Sequence, residues 1–188
     1  MRSHLTIRKS GRRSLIAAVV CGALLSVLAA VPVRAQSEET LKSQFILNFA
    51  RFTTWPSAAF SGPSSPIVVG FVSAPELAEA FDKIATGKNI NGRELKVKKF
   101  DSVAAVDESC QVVVTAPGPQ GRAVAAKIKG KHVLLVGQDN GFLDAGGIIN
   151  LIVDGGKISF EVNLGTAKAA SLELDQKLRV LAKSVRGA

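Results

Sequence analysis

The chain has 188 residues, of which 47% are hydrophobic and 21% charged, and it carries a formal net charge of +9. Six of its Lys and Arg residues and none of its Asp or Glu fall within residues 1–35, so the net charge beyond that point is only +3, too small for a nucleic-acid-binding reading. The 153 residues that remain suit a single domain, beginning near Glu38, with no repeat, linker or low-complexity tract.

Residues 1–35 read as an export signal. Arg2, Arg8, Lys9, Arg12 and Arg13 precede an apolar run from Leu15 to Ala30, and Val33-Arg34-Ala35 puts small residues at the two positions a signal peptidase reads. The run is interrupted by Gly22 and Ser26 and is shorter than the roughly 20 residues a membrane span needs. Cleavage is expected before Gln36, giving a soluble exported domain of residues 36–188; no cysteine stands at the new N-terminus to take a lipid.

The stretch from Leu41 to Pro56 predicts a helix with two apolar sides that stops at Trp55-Pro56. At 100° per residue Leu41, Phe45, Phe49 and Phe52 share one quadrant, and Ile46, Leu47 and Ala50 fall roughly opposite. Either the domain wraps this helix on both sides, or one side is kept for a partner. Asn48 projects near the middle of the first stripe, where its amide either satisfies neighbouring backbone or touches a ligand; Arg51 lies on the narrow polar edge.

A Ser/Pro/Gly-rich loop leads to the nearly unbroken apolar run Pro66–Val72, which reads as a buried parallel strand. A helix follows with Pro75 near its start and Leu77, Ala80, Phe81 and Ile84 on one face. Glu94–Phe100 alternates as a half-exposed strand, Cys110–Thr115 is another β-branched run, a helix is expected over residues 122–129, and Lys131–Gly137 is a further strand. The glycine-rich turn before Arg122 lacks both the P-loop and the dinucleotide fingerprint. Ile148–Val153 and Lys157–Val162, joined by Asp154-Gly155-Gly156, predict an antiparallel hairpin. Asn163 suits the N-cap of Leu164–Ala170, and Asp175 that of a last helix whose stripe is Leu174, Leu178, Leu181 and Val185. The fold class expected is therefore α/β, a mixed sheet of about six strands, mostly parallel with a C-terminal antiparallel hairpin, flanked by helices.

Chemistry-bearing residues are few. Beyond residue 35 there is one histidine, His132, one cysteine, Cys110, and no tyrosine, so neither a catalytic set, a metal site nor an intramolecular disulfide is expected, and no cofactor. Cys110 reads as a buried small hydrophobe at a strand start, the alternative being an intermolecular disulfide or redox sensor.

The signature NFARFTTWP, a short apolar strand after it, Cys110 opening a strand, the Gly146–Ile149 step, the FEVNL run over Phe160–Leu164 and the leucine-rich C-terminus together resemble the YfiR family. The resemblance implies a periplasmic α/β domain that restrains an inner-membrane diguanylate cyclase of the YfiN type, lowering cyclic di-GMP and biofilm formation. The alternative it implies is a small-molecule sensor feeding a membrane histidine kinase. The best-known member resembles this chain at Cys110, but Phe71 stands where a partner cysteine would be expected and none flanks Gly146–Ile149, so control by an intramolecular disulfide does not carry over. The residues read as partner-binding are Ile46, Leu47, Ala50, Ile148 and Ile149. Those read as ligand-binding are Asn48, Arg51 and Asn163, set against a pocket at the C-terminal edge of the parallel strands. A homodimer stays open.

Overall fold

The computed structural model describes residues 37–187; the expected export signal over residues 1–35 and the cleavage point before Gln36 lie outside the described residues. In chain order come α1 (Glu38–Arg51), β1 (Thr53–Thr54), β2 (Ile67–Val72), α2 (Pro75–Ala85), β3 (Asn89–Ile90), β4 (Arg93–Phe100) and β5 (Val112–Thr115). They are followed by α3 (Gln120–Lys127), β6 (Leu134–Gly137), β7 (Ile149–Asp154), β8 (Lys157–Asn163), α4 (Leu164–Ala169), β9 (Glu173–Leu174), α5 (Gln176–Leu181) and β10 (Ser184–Arg186).

Eight strands make one mixed sheet in the order β10-β8-β7-β6-β5-β2-β4-β3, and β1 pairs separately with β9. The neighbours from β4 through β2, β5 and β6 to β7 are parallel, because a crossover long enough to return across the sheet separates each pair in sequence. β7 and β8 turn back on each other through Gly155 and Gly156, both at positive φ, as a tight hairpin requires. Six strands carry the sheet and the two short ones close its edges, so the expected α/β architecture is the observed one.

Alternation along the strands divides the core into two. Val69, Phe71, Val112, Val114, Leu134 and Val136 point to one face, where α1 and α2 cover them with Ile46, Phe49, Leu77 and Phe81. Val72, Val113 and Leu135 point to the other, under Val124, Ile128 and the loop residues Phe142 and Leu143. Gly70 is a glycine because a Cβ there would come 2.7 Å from the Phe100 ring and 2.9 Å from Cys110 Sγ.

The first helix is wrapped rather than two-sided. Ser37 caps it, its side chain accepting from Thr40 N, and Glu38 and Glu39 favour its positive end. Its buried residues are Lys42, Ser43, Ile46, Leu47, Phe49 and Ala50, while Phe45 and Phe52 flank them half-buried. The sheet-facing side is thus centred between the two stripes that helical geometry separates. One expectation changes with it, and one charged residue goes inside. Asn48 faces outward, not into the apolar stripe, and Lys42 is buried with its ammonium held by Glu38 at 2.6 Å and Glu39 at 3.3 Å.

The C-terminus also departs from the expected long helix. α5 stops at Leu181, Ala182 is extended, and Ser184–Arg186 pairs in parallel with Glu161–Asn163. Lys183 N donates to Phe160 O at 2.8 Å, and Ser184 Oγ bonds the Glu161 carboxylate. Pairing here closes an edge of β8 that a further helical turn would leave with unpaired backbone groups. Of the expected stripe only Leu178 is buried; Leu181 is 69% and Val185 38% exposed.

Candidate functional site

All five residues read as partner-binding lie in the core. Ile46, Ala50 and Ile149 are 0% exposed, Ile148 1% and Leu47 6%, so the folded monomer offers none of them to a partner. This corrects the sequence reading, and the cause is the sheet itself: β7 is an inner strand, and α1 is sandwiched by its neighbours.

The ligand candidates are not brought together in a pocket at the C-terminal strand edge. Asn48 and Arg51 sit on the outer face of α1. Trp55, just beyond that helix, bonds Gln111 O at the N-terminal entrance of β5, so the end of α1 bearing Arg51 lies at the opposite end of the strands from the expected crevice. Asn163 is engaged through both amide atoms: its Oδ1 accepts from Thr166 N at 3.0 Å to cap α4, and its Nδ2 donates to Leu143 O at 3.3 Å.

The crevice at the C-terminal ends of β5 and β6 is filled by Phe142. Its ring lies so close to Gly121, Gly137 and Gly147 that a Cβ on each would approach it to 2.9, 2.4 and 2.2 Å respectively. Beside it Asp139 Oδ1 accepts from Gly118 N at 2.7 Å, whereas Asp139 Oδ2, Thr115 Oγ1 and Gln120 Oε1 are buried without a partner among the described residues.

A different surface has the character of a contact site. α5 packs through Leu178 alone, leaving Val180 73% and Leu181 69% exposed. With Phe52, Asp175, Gln176 and Lys177 they line a groove of about 580 Å³. The groove is held rigid at one wall: β1 and β9 pair as Thr53↔Leu174, Asp175 N donates to Phe52 O at 2.9 Å, and Asp175 Oδ1 accepts from Lys177 N at 2.7 Å. The Lys177 ammonium lies 5.3 Å from the Phe52 ring centroid, a cation–π contact at the rim of the groove. Sequence periodicity places Leu181 in the core stripe and leaves Val180 outside it. The cue that was available is the run after Asp175, where residues 176–187 contain four Lys or Arg and no acidic side chain.

Cys110 lies away from that groove, in a second electrostatic cluster. Burial, helped by the charge of Asp107, pushes its thiol up to about 11. Hydrogen bonds from Lys98 and Ser109 hold Asp107 down to about 2, and the bond to Asp107 raises Lys98 in turn. A buried thiol that resists ionisation is a poor nucleophile and a poor redox sensor.

Fold and surface together define a three-layer α/β domain with a filled strand-edge crevice and an open apolar groove at its C-terminal helix. The chain belongs to the YfiR/HmsC-like family, whose model matches residues 39–183. No curated protein matches it. Among solved structures it is similar to a conserved domain protein from Vibrio cholerae, with a TM-score of 0.52 at 13% identity over 79% of this chain and 60% of that one. It is also similar, at a TM-score of 0.46 and 8% identity, to the ABC domain in complex with L-Trp from Streptococcus pneumonia, over 63% of this chain and 55% of that one. The first likeness shows the α/β fold, and this chain spans 60% of the length of that structure.

Proposed function

We propose that the protein is an exported periplasmic regulator that binds the periplasmic part of an inner-membrane diguanylate cyclase and restrains it, lowering cyclic di-GMP and biofilm formation. Membership in the YfiR/HmsC-like family over residues 39–183 is the observation that carries this reading. The protein acts by contact, does no chemistry of its own and needs no cofactor. A regulator that works this way must present a surface with something to bury, and the exposed Val180 and Leu181 supply one.

The test is cellular cyclic di-GMP after deletion of the gene, together with recovery of membrane proteins on the tagged mature domain. A rise in cyclic di-GMP and recovery of a GGDEF-containing membrane protein support the proposal. An unchanged level and recovery of a histidine kinase instead would replace it with the kinase-linked sensor.

A further inference from the structure

We infer that the groove between Phe52 and α5 is the docking site for a partner protein, and that the segment it takes is an apolar side chain flanked by carboxylates. The inference rests on the regulator reading and names the surface through which that regulator acts. Four large apolar residues are counted as exposed among the described residues, and three of them, Val180, Leu181 and Val185, lie within six positions of one another. Exposure of this kind is concentrated here, not scattered.

The charge around the groove selects the occupant. Arg51, Lys177, Arg179 and Lys183 are all exposed, and none takes part in an ion pair among the described residues, where seven such contacts occur elsewhere. The one carboxylate that lines the groove, Asp175, is turned to the backbone of Lys177, and the exposed Glu173 stands two residues earlier on β9, outside the lining. A second copy of the chain is disfavoured, because a two-fold contact would set Lys177 and Arg179 against their own equivalents. The chain's own residues 1–35 are disfavoured for the same reason, having six basic and no acidic side chains. A bilayer surface would satisfy the charge but not the shape: the apolar residues line a depression, and α5, at six residues, is too short to lie in a lipid interface as an amphipathic helix. An acidic-flanked apolar knob satisfies both. Carboxylates would meet the basic rim, which steers the encounter, while the knob fills the space between Phe52 and Leu181.

In-cell photo-crosslinking of the full chain tests this. A benzophenone amino acid is placed at Leu181, or at the exposed Lys96 of β4 as control, and adducts are identified by mass spectrometry. The expected result is an adduct from position 181, absent from position 96, with a membrane protein at an apolar residue flanked by Asp or Glu in its periplasmic part. Arg179→Glu with Lys183→Glu, two exposed side chains beside the groove, should cut its yield at least tenfold without changing the melting temperature. An adduct with phospholipid, with a second copy, or none at all overturns the inference, as does a yield indifferent to charge reversal. The regulator reading is judged separately. An adduct with a membrane protein lacking a GGDEF domain keeps the groove and removes the cyclase, whereas no adduct alongside raised cyclic di-GMP in the deletion strain removes the groove and keeps the cyclase.

Discussion

Trp55 Nε1 donates to Gln111 O at 3.1 Å across 56 positions of sequence, while the Gln111 side chain reaches the other way. Its Oε1 accepts from Val68 N at 2.8 Å and its Nε2 donates to Ala59 O at 2.7 Å. One residue therefore ties the loop after α1 to the N-terminal ends of both β2 and β5. Gln111→Ala leaves a backbone donor and a backbone acceptor without their partners and should cost about 1–3 kcal/mol for each that water cannot reach. Trp55→Phe, which keeps most of the apolar contact, should cost only about 1 kcal/mol. Urea denaturation of the two variants checks the ranking; equal losses would mean that the clasp is not centred on Gln111.

The same pair shows what could be read from sequence and what could not. The parallel strands were legible because Pro66–Val72 and the Val112–Val114 centre of Cys110–Thr115 are apolar, β-branched-rich runs, and such runs leave little choice. The hairpin was legible from Asp154-Gly155-Gly156. The facing of α1 was not, since its apolar residues cover too much of the circumference for periodicity to choose a centre; the sheet made that choice through contacts tens of residues away. The end of α5 was not legible either, because the competing structure is an edge-strand pairing with Glu161–Asn163 that no local pattern encodes. The docking groove inherits that second failure: Leu181 reads as core only if the helix continues.

Burial decides the fate of charged substitutions on the two apolar sets. Leu47→Asp and Ile149→Asp place a carboxylate in the core and should unfold the domain, whereas Val180→Asp and Leu181→Asp should change stability by no more than about 0.5 kcal/mol. Thermal melts followed by circular dichroism distinguish the outcomes. A folded Leu47→Asp protein would restore that face of α1 as a candidate contact.

Cys110 should react slowly with thiol reagents at neutral pH, and the monomer should run without a covalent dimer on non-reducing gels. Its folded pKa of about 11 lies above the ordinary 9.0, so the stability linked to its proton is complete below pH 9 and is lost as pH rises through 11. Cys110→Ala should therefore be less stable than the parent at pH 8, by roughly 1–2 kcal/mol of packing, with the gap narrowing toward pH 11. Paired denaturation curves at the two pH values provide the check. A gap that widens would mean that the thiol is not the titrating group.

Gly147→Ala should force the Phe142 ring out of place, at a cost of about 1–3 kcal/mol or more, and Phe142→Ala should cost about 3–5 kcal/mol. Once the ring is gone the added methyl has room, so the double variant should be less destabilised than the sum of the singles. Additive losses in a double-mutant cycle would mean that the two groups do not share one space.

The exported form should begin at Gln36. Intact mass of protein recovered from the periplasmic fraction tests this, and a mass retaining residues 1–35 would mean that the segment stays as an anchor.

The Phe142 ring, seated on three glycines, behaves as a tethered competitor for the place where open α/β sheets hold small molecules. Any metabolite entering there must first evict a side chain that is 1% exposed. If eviction costs about 3 kcal/mol, the competent state is populated at less than about one part in a hundred, and an intrinsic affinity of about 1 μM is read out as one of about 0.1 mM or weaker. Such a site would respond only to abundant compounds, and trimming the ring to a smaller side chain would tune its threshold without altering a single contact to the incoming molecule.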